Sequence, residues 1–559
     1  MKRPLLLLLL PALLLAACGG VGRAPVFIDA GGRRQPLAVK GGGRYELRRP
    51  VQVGGEGQAF FLRTRRAVAG TELQVLDPDG RVLARRALFA APLPLTLLVS
   101  LPSASWVGGF DLRPAPGPGE AVREAGIEES FTGFERGQEE LRLGAGVRRL
   151  VLGSGYAEAE LGPEAFPAGA GPDGWRLELD YECLGPVSLA DFRRFESGSE
   201  PAPPSGRTAA VLRLAAGDRQ TELQQRGLSG AQRLFLYPGT VGFAPLELSL
   251  RPQKGSYLTA RALRVQPRLA EDELGRPPGS SALRPLPADP GTVLLYDRGA
   301  WRQPEYELFA WARFPEVLII DTADYAVQDR FFKRLAFFVE KAGYRGRLVS
   351  AEEVAALHGF NAHDYTAEDL ARFYRAAEAA SAPLGAEEEL LKRILIANGL
   401  LRGDGLEAGS GAILSISRSS SDELRRLLLT HEALHGLFFT LPRYRQACIY
   451  AWQALGPAER EFWALFLRWG SYDPADPLLS ANEFQAYLFQ QPRSGLGFYF
   501  CQLAAGRLQR AYPQRAAWIR AFLAAEPDSF QRAYDRLEPA LRREARVEGG
   551  RLVELRRVR

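Results

Sequence analysis

Along the first half of the chain, apolar residues fall at every second position in short runs broken by turn residues. In Thr71-Glu-Leu-Gln-Val-Leu-Asp-Pro-Asp-Gly80-Arg-Val-Leu the alternation stops at Asp-Pro-Asp-Gly and resumes beyond it, which predicts two strands around a tight turn. The apolar stretch 93–101 is bounded by prolines and reads as a buried strand. Trp175-Arg-Leu-Glu-Leu-Asp-Tyr and Thr208-Ala-Ala-Val-Leu-Arg-Leu continue the strand pattern. A Pro/Gly cluster at 114–119 and a Pro/Gly/Ser-rich stretch at 275–291 punctuate this half. Two antiparallel β-sandwich-like modules, at 42–113 and 120–270, are the economical reading, followed by a linker at 271–291.

Beyond residue 291 the period lengthens. Pro315-Glu-Val-Leu-Ile-Ile-Asp321 is a buried-strand run, and Phe331, Phe332, Leu335, Phe338 and Val339 then recur at helical spacing. Residues 346–350 fit a further strand, and Ser350-Ala-Glu-Glu353 is a capping box that opens a helix. From Thr366 onward the pattern is helical apart from Ala412-Ile-Leu-Ser-Ile-Ser417. The sequence therefore predicts a multidomain chain, with all-β sandwich-like modules first and a helix-dominated α+β domain at 292–559. The charged run 542–559 reads as a solvated end.

Composition narrows the class. The 559 residues are 46% hydrophobic and 24% charged, which excludes a disordered chain and a polytopic membrane protein. The net charge of +6 comes from 71 basic residues, nearly all Arg, scattered along the chain against 65 acidic ones. Nucleic-acid binding needs a clustered basic face, so that class is set aside.

The N-terminus carries an address. Lys2 and Arg3 precede an apolar run from Leu5 to Leu15, interrupted by Pro11 and too short for the roughly 20 residues a membrane span takes. Residues 1–17 read as a secretory signal peptide. Leu15-Ala-Ala-Cys18-Gly19 resembles the lipobox of bacterial lipoproteins. The resemblance implies lipidation of Cys18, a tether at 18–41 and a lipid-anchored place in the bacterial cell envelope. Of the other cysteines, Cys183, Cys448 and Cys501, the last two lie in one region and could bridge. No Cys-x-x-Cys pair suggests a thiolate metal site.

One motif carries chemistry. Leu427-Leu-Leu-Thr-His431-Glu432-Ala-Leu-His435-Gly436 contains His-Glu-x-x-His. On a helix, positions four apart share a face, so both imidazoles reach one metal ion. Zn²⁺ suits imidazole, and Glu432 beside it is placed to take a proton from attacking water. Ser420-Ser-Asp-Glu423 supplies a capping box ahead of the helix. With four histidines in the chain, a chance match arises on the order of once in several hundred such sequences.

The motif resembles that of zincin metallopeptidases. No histidine follows His435, so a third ligand of this kind must be a carboxylate. Gluzincins take theirs from a Glu on a downstream helix, and Glu483 in Ser480-Ala-Asn-Glu483-Phe-Gln-Ala-Tyr487 fits. Ser480-x-x-Glu483 is also a capping box, and Asp473 and Asp476 are alternative ligands. The resemblance covers about residues 412–489. It implies a zincin-like catalytic domain with one Zn²⁺, peptide or protein substrates, and a strand at 412–417 that pairs with substrate as an edge strand. Leu357-His358-Gly-Phe-Asn-Ala-His363-Asp364-Tyr365 reads as a polar-aromatic loop between helices, in which His363-Asp364 could stabilise an oxyanion or position substrate. Tyr487 and Tyr499 are further candidates for that role. The competing reading is a scaffold lipoprotein whose β modules grip an envelope glycan or protein, with a non-catalytic zincin domain.

Overall fold

The computed structural model describes residues 25–558 with breaks, the longest at 114–121, 185–206 and 268–279; within 280–552 only residue 342 is omitted. The signal segment and Cys18 lie outside the described residues. The N-terminal part is β-rich and the C-terminal part helical. The chain forms two compact units. The first comprises Met1–Ala165, Leu246–Arg251 and Leu258–Ala262; the second comprises Phe166–Pro245, Pro252–Tyr257 and Leu263–Arg559.

In the first unit the predicted turn forms. Thr71–Leu76 pairs antiparallel with Val82–Leu88, and Asp77 Oδ1 accepts from the backbone N–H groups of Asp79 and Arg81. Gly80 takes φ +82°, which glycine adopts without Cβ strain. Strands Gln58–Thr64 and Trp106–Arg113 have four others between them in the hydrogen-bonded order, yet the Phe60 and Phe110 rings lie 5.4 Å apart. The sheet thus curls over itself, as a sandwich does, and buries Phe27, Tyr45, Phe60, Leu73 and Phe110 together.

Two expectations change here. Val26–Ile28 and Arg34–Val39, expected in the tether, are strands of this sheet because Phe27 and Leu37 supply its core. Val122–Glu129 pairs with both Gln58–Thr64 and Val26–Ile28, so the module continues past the Pro/Gly run at 114–119, which itself lies outside the described residues.

The expected second sandwich is divided between the units. Val147–Gly153 and Tyr156–Leu161 belong to the first. Trp175–Leu184 pairs with Gly230–Leu236, and Arg207–Ala216 with Arg219–Leu228, in the second. The cause is packing: Phe235 and Tyr237 enter the core that the C-terminal helices build, and the Tyr237 hydroxyl donates to the Pro287 carbonyl at 2.7 Å. The chain's end is tied to the same strands. Leu555–Arg557 pairs with Arg219–Leu228, and Val547, Leu552 and Leu555 are buried, so the tail is not a solvated helix end.

A five-stranded sheet organises the second unit, in the order Leu286–Ala288, Tyr306–Trp311, Phe314–Thr322, Ala412–Ser417, His363–Thr366. Part of the expected linker is therefore a strand, with Leu286 and Ala288 buried. Alternation along the central strand sets its two faces. Leu318 and Ile320 pack with the helix Tyr325–Val339, whereas Val317 and Ile319 pack with the helix Asp422–Thr440, hereafter the motif helix. Residues 346–350 form no strand, although Ser350 and Glu353 do make the capping box of the short helix Ala351–Val354. Cys448 and Cys501 are free thiols, so the bridge between them is not formed.

Candidate metal centre

The motif helix is fixed at both ends of its working half. Ser421 Oγ, rather than Ser420, accepts from Leu424 N at 3.3 Å; the Ser420 hydroxyl instead meets that of Tyr325 at 2.6 Å. Arg425 and Arg418 both donate to the fully buried Asp321 carboxylate on the neighbouring strand. Further along, a Cβ on Gly436 would come within 2.9 Å of Val317 Cγ1, so glycine allows the helix to press against that strand.

One helical turn then brings His431 and His435 together. Their Nε2 atoms lie 3.1 Å apart. Glu483 arrives from the helix Pro477–Phe489, with Oε2 3.6 Å from His431 Nε2 and Oε1 3.6 Å from His435 Nε2. Asp476 caps that helix, accepting from Leu478 N and Leu479 N, and pairs with Arg345 at 2.9 Å. Ser480 is consequently inside the helix, and Glu483 is free of a capping role. Asp473 accepts from Ala475 N in the preceding turn. Neither aspartate competes as a ligand.

The three donors fit a metal ion. Tetrahedral ligands bound at about 2.0–2.1 Å stand roughly 3.4 Å from one another, and the observed separations bracket that value. His435 and Glu483 are 1% and 3% exposed, and Glu483 Oε2 has no hydrogen-bond partner among the described residues. Two imidazoles and a carboxylate, buried together with a lone pair unused, form a donor set suited to Zn²⁺.

Burial governs the electrostatics. It lowers His431 and His435 to about 4, which keeps both imidazoles neutral and able to donate to a metal. It raises Glu483, against the pull of His435 and the Tyr472 hydroxyl. Burial also raises Glu432 well above the ordinary carboxylate range, reinforced by Glu483 and Glu340.

Asp364 joins the centre. Its Oδ2 lies 3.9 Å from His435 Nδ1, and its carboxyl interacts with that of Glu432. Asp364, Glu432 and His435 form a second cluster of donors lying within 4.8 Å of one another. The segment read as a loop ends in the strand His363–Thr366, which pairs antiparallel with Ala412–Ser417. This corrects two expectations. Ala412–Ser417 is an interior strand with neighbours on both sides, and His363–Thr366 is the edge. Alternation also turns His363 to the face opposite Asp364. There His363 stacks on Phe332 at 5.3 Å, and its Nδ1 lies 3.0 Å from the Tyr365 hydroxyl, which donates to Glu340 at 2.9 Å. Burial lowers His363 to about 3, so it is neutral, and it packs on Phe332 and Phe360 rather than beside His431, His435 and Glu483. His358 is exposed.

Of the two predicted tyrosines, Tyr487 packs against a donor, with its ring 4.5 Å from that of His431. Tyr499 lies on the π-helical segment Gly497–Ala504, where its hydroxyl engages Gln490. The sequence reading missed Tyr472, whose ring is 6.4 Å from Tyr487 and whose hydroxyl interacts with Glu483. It also passed over Asn482 and Gln490, beside His435 and His431. Asn482 could have been found as the neighbour of Glu483; Tyr472 sits in an Asp-Pro turn that gives no such signal.

No protein-family model and no curated protein matches this sequence. Among solved structures, a chain from the atomic structure of Sulfolobus Turreted Icosahedral Virus aligns with 42% of this chain at 10% identity and a TM-score of 0.17. The alignment spans about half (56%) of that viral chain. A likeness this slight carries no argument about fold or function.

Proposed function

We propose that this chain is a zinc-dependent peptidase of gluzincin type, carried at the bacterial cell envelope by a lipid on Cys18. The observation that supports the reading is the convergence of His431, His435 and Glu483 on one point, with Glu432 on the adjoining helical position. A purely structural metal site has no use for that fourth group.

His431, His435 and Glu483 would hold one Zn²⁺, which when bound supplies a Lewis acid for a carbonyl and acidifies water. Glu432 takes the proton of the attacking water and returns it to the leaving amine. Tyr487, in contact with His431, is the tyrosine best placed to donate to a developing oxyanion. The edge strand His363–Thr366 offers unpaired backbone groups to an extended peptide.

The test is zinc content and peptide hydrolysis by the soluble chain from residue 19. The wild type is expected to retain about one zinc and cleave peptides. Glu432→Gln should keep the zinc and lose hydrolysis by about 10²-fold or more. Hydrolysis that survives Glu432→Gln would overturn the mechanism, and a wild type without zinc would favour the scaffold reading.

A further inference from the structure

Six basic residues lie between positions 330 and 350, and five of them hold a carboxylate. Arg330 pairs with Glu305 and Glu387, Lys333 with Asp329, Arg334 with Glu388, Arg345 with Asp476 and Arg347 with Glu353. Lys341 is the exception. Among the described residues no carboxylate comes within ion-pair distance of its ammonium, and its neighbour Glu340 accepts the Tyr365 hydroxyl. The side chain is half-buried. Glu340 attracts the ammonium through space without closing an ion pair on it, and a partly desolvated ammonium with no direct anion contact is unfavourable unless something else offsets the loss.

What faces it is aromatic. The Lys341 Nζ lies 3.5 Å from the centroid of the Phe360 ring and 5.9 Å from that of Phe337. A ring face recovers part of the lost solvation and leaves the N–H donors without an anion. Phe360 in turn lies nearly parallel to Tyr472, at 5° and 6.4 Å, and the Tyr472 hydroxyl interacts with the metal-ligating Glu483. A continuous wall thus runs Glu483, Tyr472, Phe360, Lys341. Apart from Lys341, the charged groups grouped at the centre, Glu340, Asp364, Glu432 and Glu483, are acidic.

We propose that Lys341, backed by Phe360, is a specificity-determining residue of the peptidase site and takes a carboxylate of the substrate a few residues from the scissile bond. The carboxylate is either an acidic side chain or a free C-terminus. An anion there completes an ion pair that the described residues leave unmade, and the aromatic wall packs the apolar part of the residue that carries it. This inference rests on the peptidase reading.

The experiment uses the soluble chain with zinc and quenched fluorescent peptides of one sequence. In one arm a single Glu is moved along the peptide against Gln controls; in the other the C-terminus is free or amidated. The wild type should favour the carboxylate by about tenfold or more in kcat/KM at one register, and the responding arm identifies the source. Lys341→Met keeps an apolar stem on Phe360 and should bring the ratio to near one. Lys341→Glu should invert it and Lys341→Arg should restore it. Zinc content is measured on every variant. A wild-type ratio near one in both arms, or a ratio that Lys341→Met leaves unchanged, overturns the proposal.

Binding separates the two readings. The Glu432→Gln chain should bind the Glu peptide more tightly than the Gln peptide, with the difference lost in Glu432→Gln/Lys341→Met. Discrimination in binding without any hydrolysis by the wild type would leave the subsite standing and remove the peptidase. Hydrolysis without discrimination would do the reverse.

Discussion

Arg425, on the motif helix, donates at 2.7 Å to the carboxylate of Asp321, which is fully buried on the strand beneath it. The contact joins the helix that carries His431 and His435 to the centre of the sheet. Arg418 adds a second donor; burial still raises the Asp321 carboxyl above its ordinary value, with both guanidiniums pulling the other way. Asp321→Asn would leave Arg425 buried without its counter-charge and should cost about 3–5 kcal/mol. The pair change Asp321→Leu/Arg425→Met should cost much less. Urea unfolding of the single and double variants checks this; equal losses would show that the charges are not coupled.

Gly436 sits where the same helix meets Val317. Gly436→Ala gains about 1 kcal/mol of helix propensity and incurs roughly 1–3 kcal/mol of overpacking against a side chain with little rotamer freedom. A net loss is expected. Val317→Ala should relieve it, making Gly436→Ala neutral or stabilising in that background. Thermal unfolding of the four proteins gives the coupling. Zinc content should follow the overpacking, since His435 is the preceding residue.

What could be read from the chain depended on how locally the structure is encoded. His431, Glu432 and His435 were legible because one helical turn relates them. The strand at 315–321 was legible as a buried run because its apolar residues are consecutive, and that run did not say which side chain faced which helix. Whether Ala412–Ser417 was an edge was not legible, since every residue in it is apolar or small and the answer lies with His363–Thr366, nearly fifty positions earlier. Asp364 entered the centre through that same pairing, so it was visible only as a neighbour of His363. Glu483, 48 positions after His435, could be proposed but not separated from a cap until Asp476 was seen to hold the helix start. The tail misled because Leu552 and Leu555 are isolated among arginines, and their burial is decided by Arg219–Leu228, hundreds of residues away. Proline and glycine at 114–119 marked a connection, and a connection between strands of one sheet carries the same composition as one between modules.

Tyr472 tests how far the centre extends beyond its ligands. Its hydroxyl works against burial to keep Glu483 ionised, and an ionised carboxylate is the form that binds metal. Tyr472→Phe keeps the ring against Phe360 and Tyr487 and removes only the hydroxyl. Zinc affinity measured with a competing chelator should fall by about 10- to 100-fold. An unchanged affinity would show that Glu483 needs no such support.

His363 offers a pH-dependent test away from the ligands. Its imidazole lies at about 3 in the folded chain against the ordinary 6.5, because burial disfavours the charged form. Between those values the unfolded chain binds a proton that the folded chain does not, so the contribution of His363 to stability falls as pH drops. The slope approaches about 1.4 kcal/mol per pH unit below 6.5. At pH 7.5, His363→Gln should be destabilising, since it loses the stack on Phe332. By pH 5 the wild type has lost roughly 2 kcal/mol relative to the variant, and the difference between them should close or reverse. Urea unfolding of both proteins, metal-free, at pH 7.5, 6 and 5 measures it, and working with the difference cancels the buried carboxyls common to both chains. A difference constant across the three pH values would mean that His363 is protonated, or solvated, in the folded state.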